Sequence, residues 1–160
     1  MCGIVGVYGE KETAVYLAIK GMRGLQHRGQ EGAGFAAADT DFDVIHVERG
    51  QGEVSQVLPG INIPRLQRNA VIGQTRYSTI GESSLQNVQP IVGTFHGRPF
   101  ALLQNGSLVN IKEISCYTKR DYTGMSDTHA IADLLSQSQK NSIEDAIIVT
   151  TRLLRGSYNL

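Results

Sequence analysis

The sequence predicts a single α+β domain, and three observations carry that prediction. Short apolar runs at residues 3–8 and 70–76 have the length of buried strands. Residues 13–26, and the segment after Ser126, instead place apolar side chains three and four apart, the spacing of helices with one buried face. The 18 glycines among 160 residues exceed average usage and supply the tight turns and close backbone approaches that packed strands need.

Taken in order, residues 3–8 read as a first strand and residues 13 to about 26 as a helix. Val15, Ala18, Ile19 and Met22 form its apolar face, and Thr13 or an earlier polar residue caps it. The stretch Leu25-Gln26-His27-Arg28-Gly29-Gln30-Glu31-Gly32-Ala33-Gly34 is glycine-rich and predicts a loop, from which residues 35–38 leave as a strand. Residues 43–48 alternate and pair with that strand. Residues 49–69 contain Gly50, Gly52, Pro59, Gly60 and Pro64, and predict a connection with one short helical turn. A buried strand over 70–76 ends in the polar segment Arg76-Tyr77-Ser78-Thr79, followed by a polar loop over 80–89. Residues 90–92 and 100–103 read as a hairpin turning near Gly97, after which Asn105-Gly106 carries a tight-turn signal. Asn110 is placed to cap a helix reaching about Tyr117, with Glu113 completing a capping-box-like pair. Ser126 caps another helix that begins at Asp127 and buries Ile131, Leu134 and Leu135. A last helix over about 142–154 turns Ile143, Ala146, Ile147 and Leu154 inward until Gly156 stops it, and residues 157–160 begin a further strand.

Composition narrows the function. The 15 basic and 15 acidic residues cancel, which leaves no electrostatic footprint for nucleic acid or an anionic membrane. No apolar run approaches the ~18 residues of a membrane span, and no signal peptide opens the chain. Two cysteines cannot build a disulfide framework, so a reducing cytoplasm is expected. The histidines at 27, 46, 96 and 129 lack ligand spacing, which argues against zinc. No phosphate-binding glycine loop of P-loop or Rossmann type is present.

The chemistry concentrates at the start. Removal of Met1 would make Cys2 the N-terminus, so that one residue carries both a thiol and a free α-amine. With unperturbed pKa values of roughly 8.5 and 7.7–8.0, the amine can take the thiol proton, directly or through a water, without a separate histidine. The strand that follows holds the nucleophile rigidly, and Gly3 would leave room for a substrate. A Cys–His pairing with His27 or His96 stays open at this level. Asn105-Gly106 presents a side-chain amide beside a backbone N–H, the donors an oxyanion needs. By spacing alone Arg28 reads as a solvated loop cation, and Asp127 as an acid favoured by a helix N-terminus.

Five segments together resemble one family. Met-Cys-Gly-Ile-Val-Gly at the start, residues 25–34, Gly-Gln-Thr-Arg-Tyr-Ser-Thr at 73–79, Gln-Asn-Gly-Ser-Leu-Val-Asn at 104–110 and Ser-Asp-Thr at 126–128 are similar, in order and spacing, to the glutaminase domain of the amidophosphoribosyltransferases. These are glutamine amidotransferases with an N-terminal nucleophile that open purine nucleotide synthesis. The aminosugar-forming members of the wider class resemble the chain less well.

The resemblance implies a four-layer α-β-β-α sandwich of two antiparallel sheets, incomplete at its C-terminus. It makes residues 2–160 a partial glutaminase domain and leaves the phosphoribosyltransferase domain absent. It assigns Cys2 as the nucleophile that forms a γ-glutamyl thioester, and Asn105 with the Gly106 N–H as the oxyanion donors. Arg76 would bind the α-carboxylate of L-glutamine and Asp127 its α-ammonium. Arg28 would close the site and Thr79 add a polar contact. Phosphoribosyl pyrophosphate and Mg would belong to the absent domain, and the full-length protein would be a homo-oligomer. No cofactor is implied for this chain, and its cysteines leave an iron–sulfur cluster undetermined. The family commonly carries His where this chain has Gln74 and Gln104. The alternative function is a folded, non-catalytic remnant.

Overall fold

The computed structural model describes residues 2–39, 44–77 and 84–160. Its first half builds one sheet from β1 (Gly3–Tyr8), β2 (Gly32–Ala38), β3 (Ile45–Gln51) and β4 (Ala70–Arg76), in the order β1-β4-β2-β3, with every neighbour antiparallel. Side chains alternate across this sheet. Its outer face carries Val5, Val7, Ala33, Phe35, Ala37 and Val71, and α1 (Lys11–Gly24) covers it with Ala14, Val15, Ala18 and Met22.

The helix begins at Lys11, ahead of Thr13, and Glu10 at its N-cap makes no side-chain capping bond. Between β3 and β4 the chain forms more helix than expected, in α2 (Val54–Val57) and α3 (Ile63–Leu66) joined through a 3-10 turn at Leu58–Gly60. Pro59 and Pro64 sit at the start of these turns, where a missing N–H leaves no hydrogen bond unmade. Val54, Val57 and Leu66 join the core under α1.

The inner face of the sheet is different in kind. Gly32, Gly34, Gln74 and Arg76 point inward, and a second layer approaches closely. A Cβ at Gly34 would collide with the Gln89 carbonyl oxygen, and one at Gly32 would lie 2.7 Å from a Val88 methyl. That second layer consists of two ribbons. β5 (Ile91–Phe95) pairs with β6 (Arg98–Leu102) through a turn at His96 and Gly97, whose φ values of 50° and 81° suit a tight hairpin. β7 (Asn105–Leu108) pairs with β8 (Gly156–Asn159). Three helices cover the far side: α4 (Ile111–Thr118), α5 (Asp127–Ser136) and α6 (Ile143–Leu153). Their core includes Phe95, Leu108, Ile131, Leu134, Leu135 and Ala146. The layers therefore run helix, strands, strands, helices, as expected of an α-β-β-α sandwich.

Three local expectations are corrected. Asn105-Gly106 forms no tight turn but opens β7, where Gly106 lies directly against Tyr158 of β8. Asn110 and Glu113 form no capping box. The Asn110 amide instead donates to the Leu153 carbonyl (2.9 Å) and accepts from the Arg155 N–H (3.0 Å), while Glu113 pairs with Arg155 at 3.3 Å. The end of α6, a closer partner than the helix itself, has captured both side chains. Ile147 is 42% exposed, because α6 buries only a narrow stripe, Ala146 and Thr150, continued by Leu154 just past its end. Among the described residues, no helix is long and apolar enough to cross a membrane.

Candidate active site

Antiparallel pairing of β1 with β4 sets Gly3 opposite Thr75, which places Cys2 beside the end of β4. The Cys2 thiol lies 3.5 Å from both polar backbone atoms of Tyr77, accepting from its N–H and donating to its carbonyl. The Gly3 N–H donates to the Thr75 hydroxyl at 3.2 Å, and that hydroxyl donates to the Leu25 carbonyl at 3.3 Å. Gly3 leaves no room for a substrate: a Cβ there would lie 2.7 Å from Leu25 and 2.8 Å from Thr75. Its role is to let β1 sit tightly against the loop after α1.

Arg28 is not a free surface cation. It belongs to a 3-10 turn, Gln26–Arg28, and its Nε donates to the Cys2 carbonyl at 3.0 Å. The turn is seated against the end of β4, where a Cβ at Gly29 would meet the Arg76 carbonyl carbon at 2.5 Å. The segment containing Arg28 thus fixes the backbone of Cys2 from one side while β4 fixes it from the other.

Cys2, Arg76, Gly106 and Asp127 line a single cleft. Arg76 is 4% exposed and its Nη1 donates to the Asn87 carbonyl at 2.9 Å. The Asn87 side chain in turn accepts from the Ser126 N–H at 2.9 Å and donates to the Gly124 carbonyl at 2.8 Å, tying Arg76 to the N-terminus of α5. Asp127 is 6% exposed and accepts from the Leu108 N–H at 2.7 Å. Burial pushes its carboxyl above the ordinary range, and the Leu108 hydrogen bond opposes that shift. A buried guanidinium and a buried carboxylate in one cleft match the two charges of an α-amino acid, with the thiol and a glycine N–H available to its side chain.

The other expected residues divide. Asn105 is half-buried next to Gly106 on β7 and does not line the cleft. Thr79 lies outside the described residues, as do residues 80–83 of the polar loop. Neither His27 nor His96 lines the cleft. His27 sits against the Gly24 carbonyl at 3.1 Å and His96 forms the β5–β6 turn. Sequence reasoning missed Gln89 and Thr128, which line the cleft together with Gln104. Their signal was present in part, since Gln74 and Gln104 are uncharged polar residues set in or beside apolar strands. The cleft is narrow, with room for about one ordered water.

No family model matches the chain. Curated relatives match it nearly end to end. It is 34% identical over 164 residues to amidophosphoribosyltransferase 2, chloroplastic, of Arabidopsis thaliana, covering 99% of this chain and 28% of that protein. It is 32% identical over 161 residues to the Bacillus subtilis amidophosphoribosyltransferase, covering 98% and 33%. It is 37% identical over 166 residues to that of Archaeoglobus fulgidus, covering 100% and 36%. Among solved structures, glutamine phosphoribosylpyrophosphate amidotransferase from B. subtilis, complexed with ADP and GMP, superposes with a TM-score of 0.86 at 30% identity, covering 99% of this chain and 34% of that one. The chain spans about a third of the length of the relatives it matches. Over essentially its whole length, then, it is homologous to a part of the longer amidophosphoribosyltransferase chains.

Proposed function

We propose that this chain hydrolyses glutamine through Cys2 and supplies the ammonia for phosphoribosylamine formation. The observation that supports the reading is that Cys2, Arg76, Gly106 and Asp127 line one cleft. Arg76 binds the substrate α-carboxylate, for which a guanidinium is shaped, and Asp127 binds the α-ammonium. The side-chain carboxamide then reaches Cys2.

Once Cys2 carries a free α-amine, that amine accepts the thiol proton as sulfur attacks the amide carbon. The developing oxyanion takes a hydrogen bond from Gly106, which lines the cleft; Asn105, the other expected donor, stands beside it on β7. Collapse breaks the C–N bond, the amine returns the proton to the leaving nitrogen, and ammonia departs from a γ-glutamyl thioester. Water, deprotonated by the same amine, attacks the thioester carbon, releasing glutamate and regenerating the thiol. Arg28 holds the Cys2 carbonyl throughout. In the longer protein the ammonia reacts with phosphoribosyl pyrophosphate on a second, Mg-dependent domain of a cytoplasmic homo-oligomer.

The test is glutamate release by protein whose N-terminus is Cys2, compared with Cys2→Ala. Activity of the alanine variant above a few per cent of the parent would overturn the assignment.

A further inference from the structure

The deepest feature beside the cleft is a closed set of amide contacts between the two strand layers. Gln74, Gln89, Gln104 and Thr128 are all at most 4% exposed. The Gln104 N–H donates to Gln89 Oε1 at 2.6 Å, and Gln74 Nε2 donates to the Gln104 carbonyl at 2.7 Å. Gln89 Nε2 donates to the Thr128 hydroxyl at 2.7 Å, which donates to Gln104 Oε1 at 3.0 Å. The backbone fixes the orientation of this network. A peptide N–H only donates, so Gln89 presents its oxygen there. A carbonyl only accepts, so Gln74 presents its nitrogen. The Thr128 hydrogen is then left for Gln104 Oε1.

Both polar atoms of the Gln104 backbone, in the link between β6 and β7, are thus gripped by side chains from other segments. Gln104 directly precedes Asn105 and Gly106. The arrangement leaves Gln74 Oε1 and Gln104 Nε2 buried without a hydrogen-bond partner among the described residues. Buried unpaired polar atoms are unfavourable, and apolar side chains of the same shape would serve stability better. The network is therefore poorly explained as a device for stability.

We propose that Gln74 and Gln89 are positioning residues. They clamp the Gln104 peptide from either side and so hold the Gly106 N–H where the oxyanion forms. This inference rests on the glutaminase reading of the cleft. It makes the inter-layer glutamines part of the catalytic geometry although they act through the backbone of another residue.

The test uses the 160-residue chain with Cys2 at its N-terminus and two substitutions. Gln74→Leu removes the donor to the Gln104 carbonyl. Thr128→Val removes the hydroxyl bridge, is nearly isosteric, and serves as the second probe if Gln74→Leu does not fold. Three quantities are read: hydrogen exchange at the Gln104 amide, thermal midpoint, and the rate of Cys2 alkylation by a glutamine-derived chloroketone relative to iodoacetamide. Exchange at Gln104 should accelerate about tenfold or more. The chloroketone preference should fall by a factor on the order of ten to a hundred, the effect of a displacement near 1 Å. The midpoint should not drop, and Gln74→His, whose ring N–H can donate to the same carbonyl, should restore both other readouts. Unchanged Gln104 exchange overturns the clamp, and so does an unchanged chloroketone preference in variants whose exchange has accelerated. A parent protein that shows no chloroketone preference refutes the glutaminase reading instead, and the exchange result still decides the clamp.

Discussion

Gly106 offers the sharpest test of the site, because the same substitution should damage packing and chemistry by separately calculable amounts. Its φ is +152°, a backbone conformation that side-chain-bearing residues avoid. An added Cβ would lie 2.5 Å from the Tyr158 Cα and collide with the Ser157 carbonyl oxygen, both on β8. Backbone strain of this type costs about 1–3 kcal/mol. Restoring an ordinary carbon–carbon separation of about 3.5 Å then requires β7 and β8 to part by roughly 1 Å. Strain of about 2–3 kcal/mol should lower the midpoint by roughly 4–12 °C in a domain of this size. Moving the Gly106 N–H by a similar distance should lower kcat by about 10²–10³, as for loss of an oxyanion donor, with little change in KM.

Gly97→Ala is the control. Its φ is +81°, yet nothing lies within 4 Å of an added Cβ. It should lose only the backbone strain, about 1–2 kcal/mol, and keep its turnover. Thermal unfolding and glutamate release on both variants settle the matter. The reasoning fails if Gly106→Ala keeps the parental midpoint and kcat, or if Gly97→Ala is equally damaged.

Other outcomes follow from the same geometry. Cys116→Ser should leave glutamate release unchanged, because Cys116 is exposed on α4. Arg28→Ala removes the donor to the Cys2 carbonyl and should reduce kcat about tenfold or more through a looser nucleophile; intact kcat would show that β4 positions Cys2 alone. Asp127→Asn should raise KM for glutamine while sparing an analogue without the α-amine. Burial raises the folded Asp127 pKa above its unfolded value, so ionisation disfavours folding above that raised pKa, and the penalty fades as pH falls to the unfolded range near 4. Asp127→Asn should therefore be at least as stable as the parent at pH 7, and the difference should shrink in acid; a stability gap that widens on acidification contradicts this.

The sequence was most legible where one periodicity acts alone. The strand 70–76 is recovered to the residue, and the helix at Asp127 starts where Ser126 predicts. It was least legible where two distant segments compete for one side chain. Asn110 satisfies every local rule for an N-cap, but the end of α6 lies closer to its amide than the first turn of α4 does. The Asn105-Gly106 pair has ideal turn chemistry, yet β8 arrives fifty residues later and converts it into a strand. Arg28 reads as solvated because nothing local reveals that its loop folds back onto Cys2. Family resemblance supplied those long-range facts for Cys2, Arg76, Gly106 and Asp127. It marked Gln74 and Gln104 as departures from a common His but not their contacts with Gln89 and Thr128, which appear only when four segments meet.

That meeting point explains why the domain keeps two cores rather than one. Phe35, Met22 and Leu66 pack outside the first strand layer, and Ile131, Leu134 and Leu135 pack outside the second. These apolar clusters can stabilise the fold without contributing to the cleft. Between the strand layers, glycines and the buried amides of Gln74, Gln89 and Gln104 sit beside apolar groups such as Val88, and such amides serve better to hold peptide groups at fixed positions than to stabilise the fold. Substitutions in the outer cores should therefore change the unfolding midpoint and leave the residual turnover of folded molecules intact. Substitutions of the inter-layer amides Gln74 and Gln89 should do the reverse. A Leu134→Ala variant separates the cases: loss of a buried leucine costs about 2–5 kcal/mol, yet its kcat per folded molecule, measured well below the midpoint, should match the parent. If kcat falls as far as it does in the inter-layer variants, the division of labour between the cores and the central layer does not exist.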